Sequence, residues 1–581
     1  MKIHIKQILA VALALPLLSS CLDEEYPSNG MTQEQVDGSA GAMEGLNTAV
    51  AAQMLNMGSS YGACGFAGQM LELDVMTGQI PIARTGYDYY TYFCEGNYLG
   101  PTYSYAYDTW KLYYDIVAKA NLVIGAGEDV HSASDAGAGY VGNALVYRAL
   151  AYFNMAQLYE YQSTGYTELD DQATSLGVYG LTVPIVTEKT TQEESYNNPR
   201  VPFYAMYRFI LTDLNRADTL LNGYTRSGLN QANQAVVYGL KARFWLTVAT
   251  RFNNTASDLE TQVSHENDAD LAQYDKLGVT TVNECYENAV KYARLAEQSG
   301  YTPMSEDNWY SGFNTSNIAW MFAVEISSDD MNSDTNWSWK NFISFISAET
   351  SFGIGGYTYG AFREIDRRLY ESIDSADWRR KTWVDPVDAG AADSASKYST
   401  ILNNSEFTQL PAYTGLKFKP GNDDGSNYTV GAAVNIPLMR VEEMYFIEAE
   451  AVAHVSGLQA GEAVLNNFMN TYRCTRTAAN PAPYACTSTT MWSFIQELIR
   501  EKRIEFWGEG LTFFDYKRLR MGFQLKYDGS NHVDNYQFNF SSGHVAPRMN
   551  FCITNSELQY NNAIVNNPDP SGYEQAAQNA E

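Results

Sequence analysis

Cations are scarce in this sequence: 38 lysines and arginines face 67 aspartates and glutamates across 581 residues, a net charge of −29. Phosphate backbones are bound mainly by cation–phosphate neutralisation, so this surface counts against nucleic acid and other polyanions as partners. Neutral ligands and basic protein faces stay open. Cysteine and histidine are also few, at 7 and 6. No Cys-x-x-Cys occurs, which removes the spacing of a zinc ribbon or dithiol redox site. No apolar run reaches the roughly 20 residues a membrane-spanning helix takes. No repeat of fixed period is found either, so any helical array here is degenerate.

The N-terminus is the most informative stretch. Lys2 and Lys6 precede an apolar run from Ile8 to Leu18, closed by Leu18-Ser19-Ser20-Cys21. Those are the parts of a signal peptide, and a small-residue site ending in Cys is a lipobox. Residues 1–20 are expected to be removed and Cys21 to carry the lipid. Each buried acyl CH₂ is worth about 0.8 kcal/mol, so two or more chains anchor a protein stably on a membrane. Cleavage removes two lysines and no acid, and Asp23-Glu24-Glu25 follows as a solvated tether. Export permits disulfides. Of the six remaining cysteines, Cys474 and Cys486, flanking a proline-containing loop, are the pair expected to bond.

Beyond the signal the dominant period is helical. Trp110, Tyr113, Val117, Ala120 and Ile124 line one helix face, and Leu145, Ala149, Phe153 and Ala156 another. Phe203 to Leu221 pairs with Ala232 to Thr250, followed by the shorter Glu284 to Glu297. Val441 to Val455 pairs with Ala460 to Tyr472, and Phe494 to Trp507 closes the set. Helices joined in pairs predict stacked αα-hairpins. Two stretches break this pattern. Residues 87–114 hold twelve aromatics among glycines, and residues 301–430 carry Trp309, Tyr310, Trp320, Trp337, Trp339, Tyr357 and Tyr359 among Gly, Asn, Asp and Ser. The expected organisation is therefore a helical region over 21–300, an irregular aromatic-rich segment over 301–430 and a helical region over 431–581. The tail after Asn561 reads as loose.

Three patterns suggest enzymes and fail on context. Gly58-Ser59-Ser60-Tyr61-Gly62 fits G-x-S-x-G, but Ala51 to Met57 reads as helix rather than the required strand. None of His265, His454, His532 and His544 has a triad setting. Gly137 to Gly142 fits G-x-G-x-x-G, yet the polar Asp129 to Ala136 before it is no strand. Asn422 to Asn427 lacks the closing Glu of a calcium loop and reads as a turn. No cofactor or metal is expected, and no catalytic residue stands out. Tyrosine outnumbers phenylalanine 43 to 25. Tyr and Trp are favoured where one side is apolar and the other wet. A sugar ring has an apolar C–H face and a hydroxyl rim, so aromatic platforms flanked by polar groups suit it. Local composition makes Trp337, Trp339, Trp309 and Tyr98 the candidate glycan contacts. In an extended segment the spacing of Trp337 and Trp339 sends both indoles to one side.

Ile499-Arg500-Glu501-Lys502-Arg503-Ile504-Glu505-Phe506-Trp507-Gly508-Glu509-Gly510, followed by Phe513-Phe514-Asp515 and Arg518, resembles the SusD/RagB family of outer-membrane nutrient-binding lipoproteins. Leu511 and Thr512 stand where that family has His-Arg. Pro437 to Arg440 with Glu443, Trp110 to Asn121, Arg148 to Phe153 and Ile553 to Leu558 are similar to further family segments. The resemblance implies a tetratricopeptide-like superhelix of helical pairs, mainly α, carrying an irregular ligand-binding face. It implies a surface lipoprotein that binds oligosaccharide without cleaving it and lies over a SusC-like TonB-dependent transporter in the outer membrane. A lid for a peptide importer is the alternative. It also makes Asp74, in an L-x-x-D-like segment, and Arg379, in Asp377-Trp378-Arg379, candidate ligand contacts. Arg500 and Arg503, one helical turn apart, are expected to hold Glu505, Glu509 or Asp515 in a structural ion network.

Overall fold

The computed structural model describes residues 40–55, 65–81, 96–332, 363–387, 392–402, 404–408, 410–424, 427–478 and 480–574. Cys21, Trp337, Trp339 and Gly58 to Gly62 lie outside them. The longer helices are α1 (Ala40–Gln53), α2 (Gly65–Met76), α3 (Ser104–Ala126), α4 (Ala138–Tyr159), α5 (Thr167–Leu176), α6 (Phe203–Leu220), α7 (Gln234–Asn254), α8 (Ala256–Ser264) and α9 (Val282–Glu297). After the middle segment come α10 (Glu442–Ser456), α11 (Leu458–Phe468), α12 (Met491–Glu505) and α13 (Thr512–Leu519).

Packing follows chain order. α3 lies on α4, α4 on α6, α7 on α9, and α10 on α11. α9 packs directly on α10, so the helical stack continues past the intervening 144 residues as if they were a loop. The fold is a mainly α superhelix of tetratricopeptide-like helical pairs, bearing an irregular aromatic-rich face. α4 is its axis: 20 of its 22 residues are buried, so the helix is enclosed on nearly every side. Local chemistry sets several of the helix starts. Asn233 caps α7 by accepting from the Val236 N–H, and Thr281 with Glu284 forms a capping box on α9. At the α10–α11 turn Gly457 takes φ +97°, a left-handed conformation that glycine adopts without strain.

The middle segment is tied to the stack by a short antiparallel ladder, β1 (Trp320–Val324) on β2 (Ile436–Arg440), every residue of which is buried. One apolar core extends from Met43 to Ile553. All nine residues predicted to line the faces of the first two long helices are buried in it.

Several expectations need correcting. Residues 104–114 are the start of α3, not a break: Tyr105, Trp110 and Tyr113 are buried along one side of the helix, and aromatic density masked that period. Cys474 and Cys486 are buried free thiols. Each is pinned elsewhere, Cys474 bridging backbone with Asp377 and Cys486 accepting its place from Asn466, whose Oδ1 takes the Cys486 N–H. The tail is tied down as far as residue 574. Asn567 accepts from Arg200 and donates to the Tyr159 and Phe551 carbonyls, Glu574 pairs with Arg548, and the Gly572 N–H reaches the Gly96 carbonyl.

Candidate functional site

Three of the residues expected to touch ligand are in the interior. Trp309 is 1% exposed and its indole N–H donates to Thr382 Oγ1 at 2.9 Å. Its ring is packed by Phe313 and Trp378, leaving no face for a sugar. Arg379 is fully buried, donating to Asp377, Glu501 and Glu505 at 2.6–2.9 Å. Asp74 is fully buried against the Gly508–Gly510 turn, whose N–H groups donate to its carboxylate. Burial pushes its carboxyl up to about 7, against the pull of those N–H groups and of Lys417. Asp74 thus fastens α2 to the turn after α12. Gly510 belongs to the same joint: at φ +70°, its Cβ would come within 2.6 Å of the Met70 Cα.

Arg379 belongs to a buried ion cluster. Glu505 takes guanidinium donors from Arg379, Arg440 and Arg473 at 2.7–3.0 Å. Arg440 also holds Glu509 with two bonds of 2.9 Å, and Lys417 donates to Glu509 at 2.5 Å. Arg473 reaches Glu442. Burial works to raise the Glu505 carboxyl, and Arg473, Arg440 and Arg379 more than offset it, holding it well below the usual carboxylate range. The network expected around Glu505 is real, but its cations differ. Arg500 pairs with Glu497 and Glu501 at the edge, while Arg503 lies over the Tyr516 ring. Asp515 is held by Lys502 and Arg518. Arg148 likewise works as a structural clamp, joining α4 to α6 through two bonds to Asp213. The motif residues join helices and leave no face to a ligand.

Of the described candidates, Tyr98 alone is exposed, at 39%. It stands edge-on to Tyr103, ring centroids 5.2 Å apart, and both Tyr103 and Tyr107 are exposed. Tyr103 stands directly before the first residue of α3, so positions 103, 107 and 111 follow one another along a single helix face. Lys111 and its partner Asp115, 2.5 Å apart, continue the stripe. Tyr103, Tyr107 and Lys111 were missed as site residues; their i, i+4, i+8 spacing was the available signal. The Tyr98 turn is braced from behind: the Leu99 N–H donates to Ser571 Oγ at 3.1 Å and the Asn555 N–H to the Pro101 carbonyl at 2.7 Å. The result is a firmly held ridge of phenol rings with a charged pair at one end. Such a surface offers flat apolar faces and hydrogen-bonding groups side by side.

The SusD family model matches residues 282–573, half of the chain, and a second model, described as starch-binding associating with outer membrane, matches residues 66–246. The chain belongs to the SusD family. No curated protein sequence matches it. Among solved structures it is similar to a SusD-like carbohydrate binding protein from Bacteroides vulgatus, at 18% identity over 91% of this chain and 97% of that one, TM-score 0.63. A SusD superfamily protein from Bacteroides thetaiotaomicron shows 18% identity over 90% and 99%, TM-score 0.61. A laminarin binding SusD-like protein shows 16% identity over 91% and 99%, TM-score 0.59. Among the described residues no helix is long and apolar enough to cross a membrane.

Proposed function

We propose that this chain is a cell-surface lipoprotein, held to the outer membrane through Cys21, that captures oligosaccharide and passes it to a SusC-like TonB-dependent transporter. The observation that carries the glycan reading is the exposed ridge of Tyr98, Tyr103 and Tyr107 with Lys111 and Asp115 at its end. Family membership and the carbohydrate-binding relatives support the same reading. Trp337 and Trp339 are proposed as further contacts, on composition. In this reading the protein binds and releases its ligand without cleaving it. A glycan-array screen of the soluble chain starting after Cys21 tests it. Oligosaccharide hits are expected, with no turnover of any bound glycan. A blank array with oligopeptides retained by the purified complex would replace the glycan reading by a peptide one.

A further inference from the structure

A cleft opens beside the C-terminal end of α4, between α6, α7 and the end of α13, with a cavity of about 330 Å³. That is the lower end of the range for small-molecule sites. Its lining is unusual for so acidic a chain. Lys517 on its wall is buried, donating to the Leu158 and Met549 carbonyls at 2.9 and 2.7 Å, with no carboxylate in ion-pair contact among the described residues. An ammonium has three donors, so one is left over. Burial pulls this ammonium down to about 7, with Glu160 only partly opposing it. Arg520, also lining the cleft, is half-buried, and its guanidinium makes no ion pair or hydrogen bond within the described residues. Its backbone is held at φ +51° by the Gly543 N–H on its carbonyl, a left-handed conformation that costs an arginine energy.

The other charges at the cleft are matched. Arg251 pairs with Glu160 and Asp258 and lies over the Phe203 ring, 3.7 Å from its centroid. Arg518 is taken up by Glu450 and Asp515. At the rim, the exposed ring of Tyr179 stands edge-on to Tyr161. A buried cation with a spare donor, a second cation without a partner and an exposed phenol ring therefore converge on one cavity.

We infer that this cleft is a second binding site, separate from the tyrosine ridge, that takes an anionic sugar unit, its carboxylate or sulfate placed against Lys517 and Arg520. The anionic character follows from the cleft; the sugar follows from the proposed glycan function. Calorimetric titration of the soluble chain with a glucuronate-containing oligosaccharide, its carboxyl-reduced neutral counterpart and a sulfated counterpart tests it, alongside Arg520→Gly. Glycine relieves the left-handed strain, so this variant stays folded with an unchanged or higher melting temperature. The acidic ligands are expected to bind at least tenfold more tightly than the neutral one, and that advantage to vanish in Arg520→Gly. Tighter binding of the sulfated than the carboxylated ligand would identify sulfate as the favoured anion and still support the site. Equal affinity for acidic and neutral ligands, an unchanged advantage in Arg520→Gly, or no binding of either acidic ligand would overturn it. Neutral ligand bound with no acidic advantage would overturn the cleft and leave the glycan function standing. No binding of any of the three would count against both.

Discussion

Glu505 shows how single residues hold this fold together. Its carboxylate is enclosed and shared by three arginines that arrive from positions 379, 440 and 473. Removing one member of a buried ion cluster leaves its partners uncompensated, at a cost of about 3–5 kcal/mol. Glu505→Gln is therefore expected to lower the denaturation midpoint sharply, measured by chemical unfolding at neutral pH. The pH dependence has a definite sign. In the unfolded chain this carboxyl takes up a proton near the ordinary glutamate value; in the folded one it does so only well below it. The stabilisation is thus present above roughly pH 4.5 and is lost as pH falls through the folded value, because the unfolded state binds the extra proton first. Glu505→Gln is expected to flatten that acid limb. Trp309, Asp74 and Arg379 show why the sequence misled at this scale. A buried, hydrogen-bonded tryptophan and a buried, paired arginine carry the same letters as exposed ones. The cations around Glu505 share no local spacing that would announce them, and strand β2 brings Arg440 in through a register no sequence pattern marked.

At the scale of elements, apolar period made most helices legible. α6, α7, α9, α10 and α12 fall within a few residues of the predicted spans, since each repeats apolar residues at helical spacing. Among the helices not anticipated, two escaped for opposite reasons. α2 buries eleven of its twelve residues, so it has no polar face to set a period. α5 buries only Leu169 and Ala173, too few to make a stripe. The capping box at Thr281 has the form Thr-x-x-Glu at the start of α9. Thr281→Ala removes the acceptor for the Glu284 N–H and is expected to cost about 1 kcal/mol in chemical unfolding, with glycan binding unchanged.

Across the whole molecule the C-terminal segment ties together residues far apart in the sequence. Residues 561–574 contact Asn198, Arg200, Gly96 and Arg548. Deleting 562–581 takes Glu574 from the buried Arg548 and Ser571 from the Tyr98 turn. That truncation is expected to lower the melting temperature and to weaken glycan binding without touching a tyrosine. As far as residue 574, the loose tail inferred from polarity was wrong because Asn567, polar by composition, here satisfies buried backbone carbonyls. Of the proposed ridge, aromatic density pointed to Tyr98, which is exposed, whereas the rest depends on which side of α3 the core leaves bare.

Titrating the best array ligand into the soluble chain and into a Tyr103→Ala, Tyr107→Ala variant tests the ridge most directly. Both side chains are exposed, so the melting temperature is expected to stay the same. Affinity is expected to fall about tenfold or more, as loss of central aromatic contacts commonly does. Unchanged affinity in a folded variant would contradict the account and remove the ridge as the place where glycan is held.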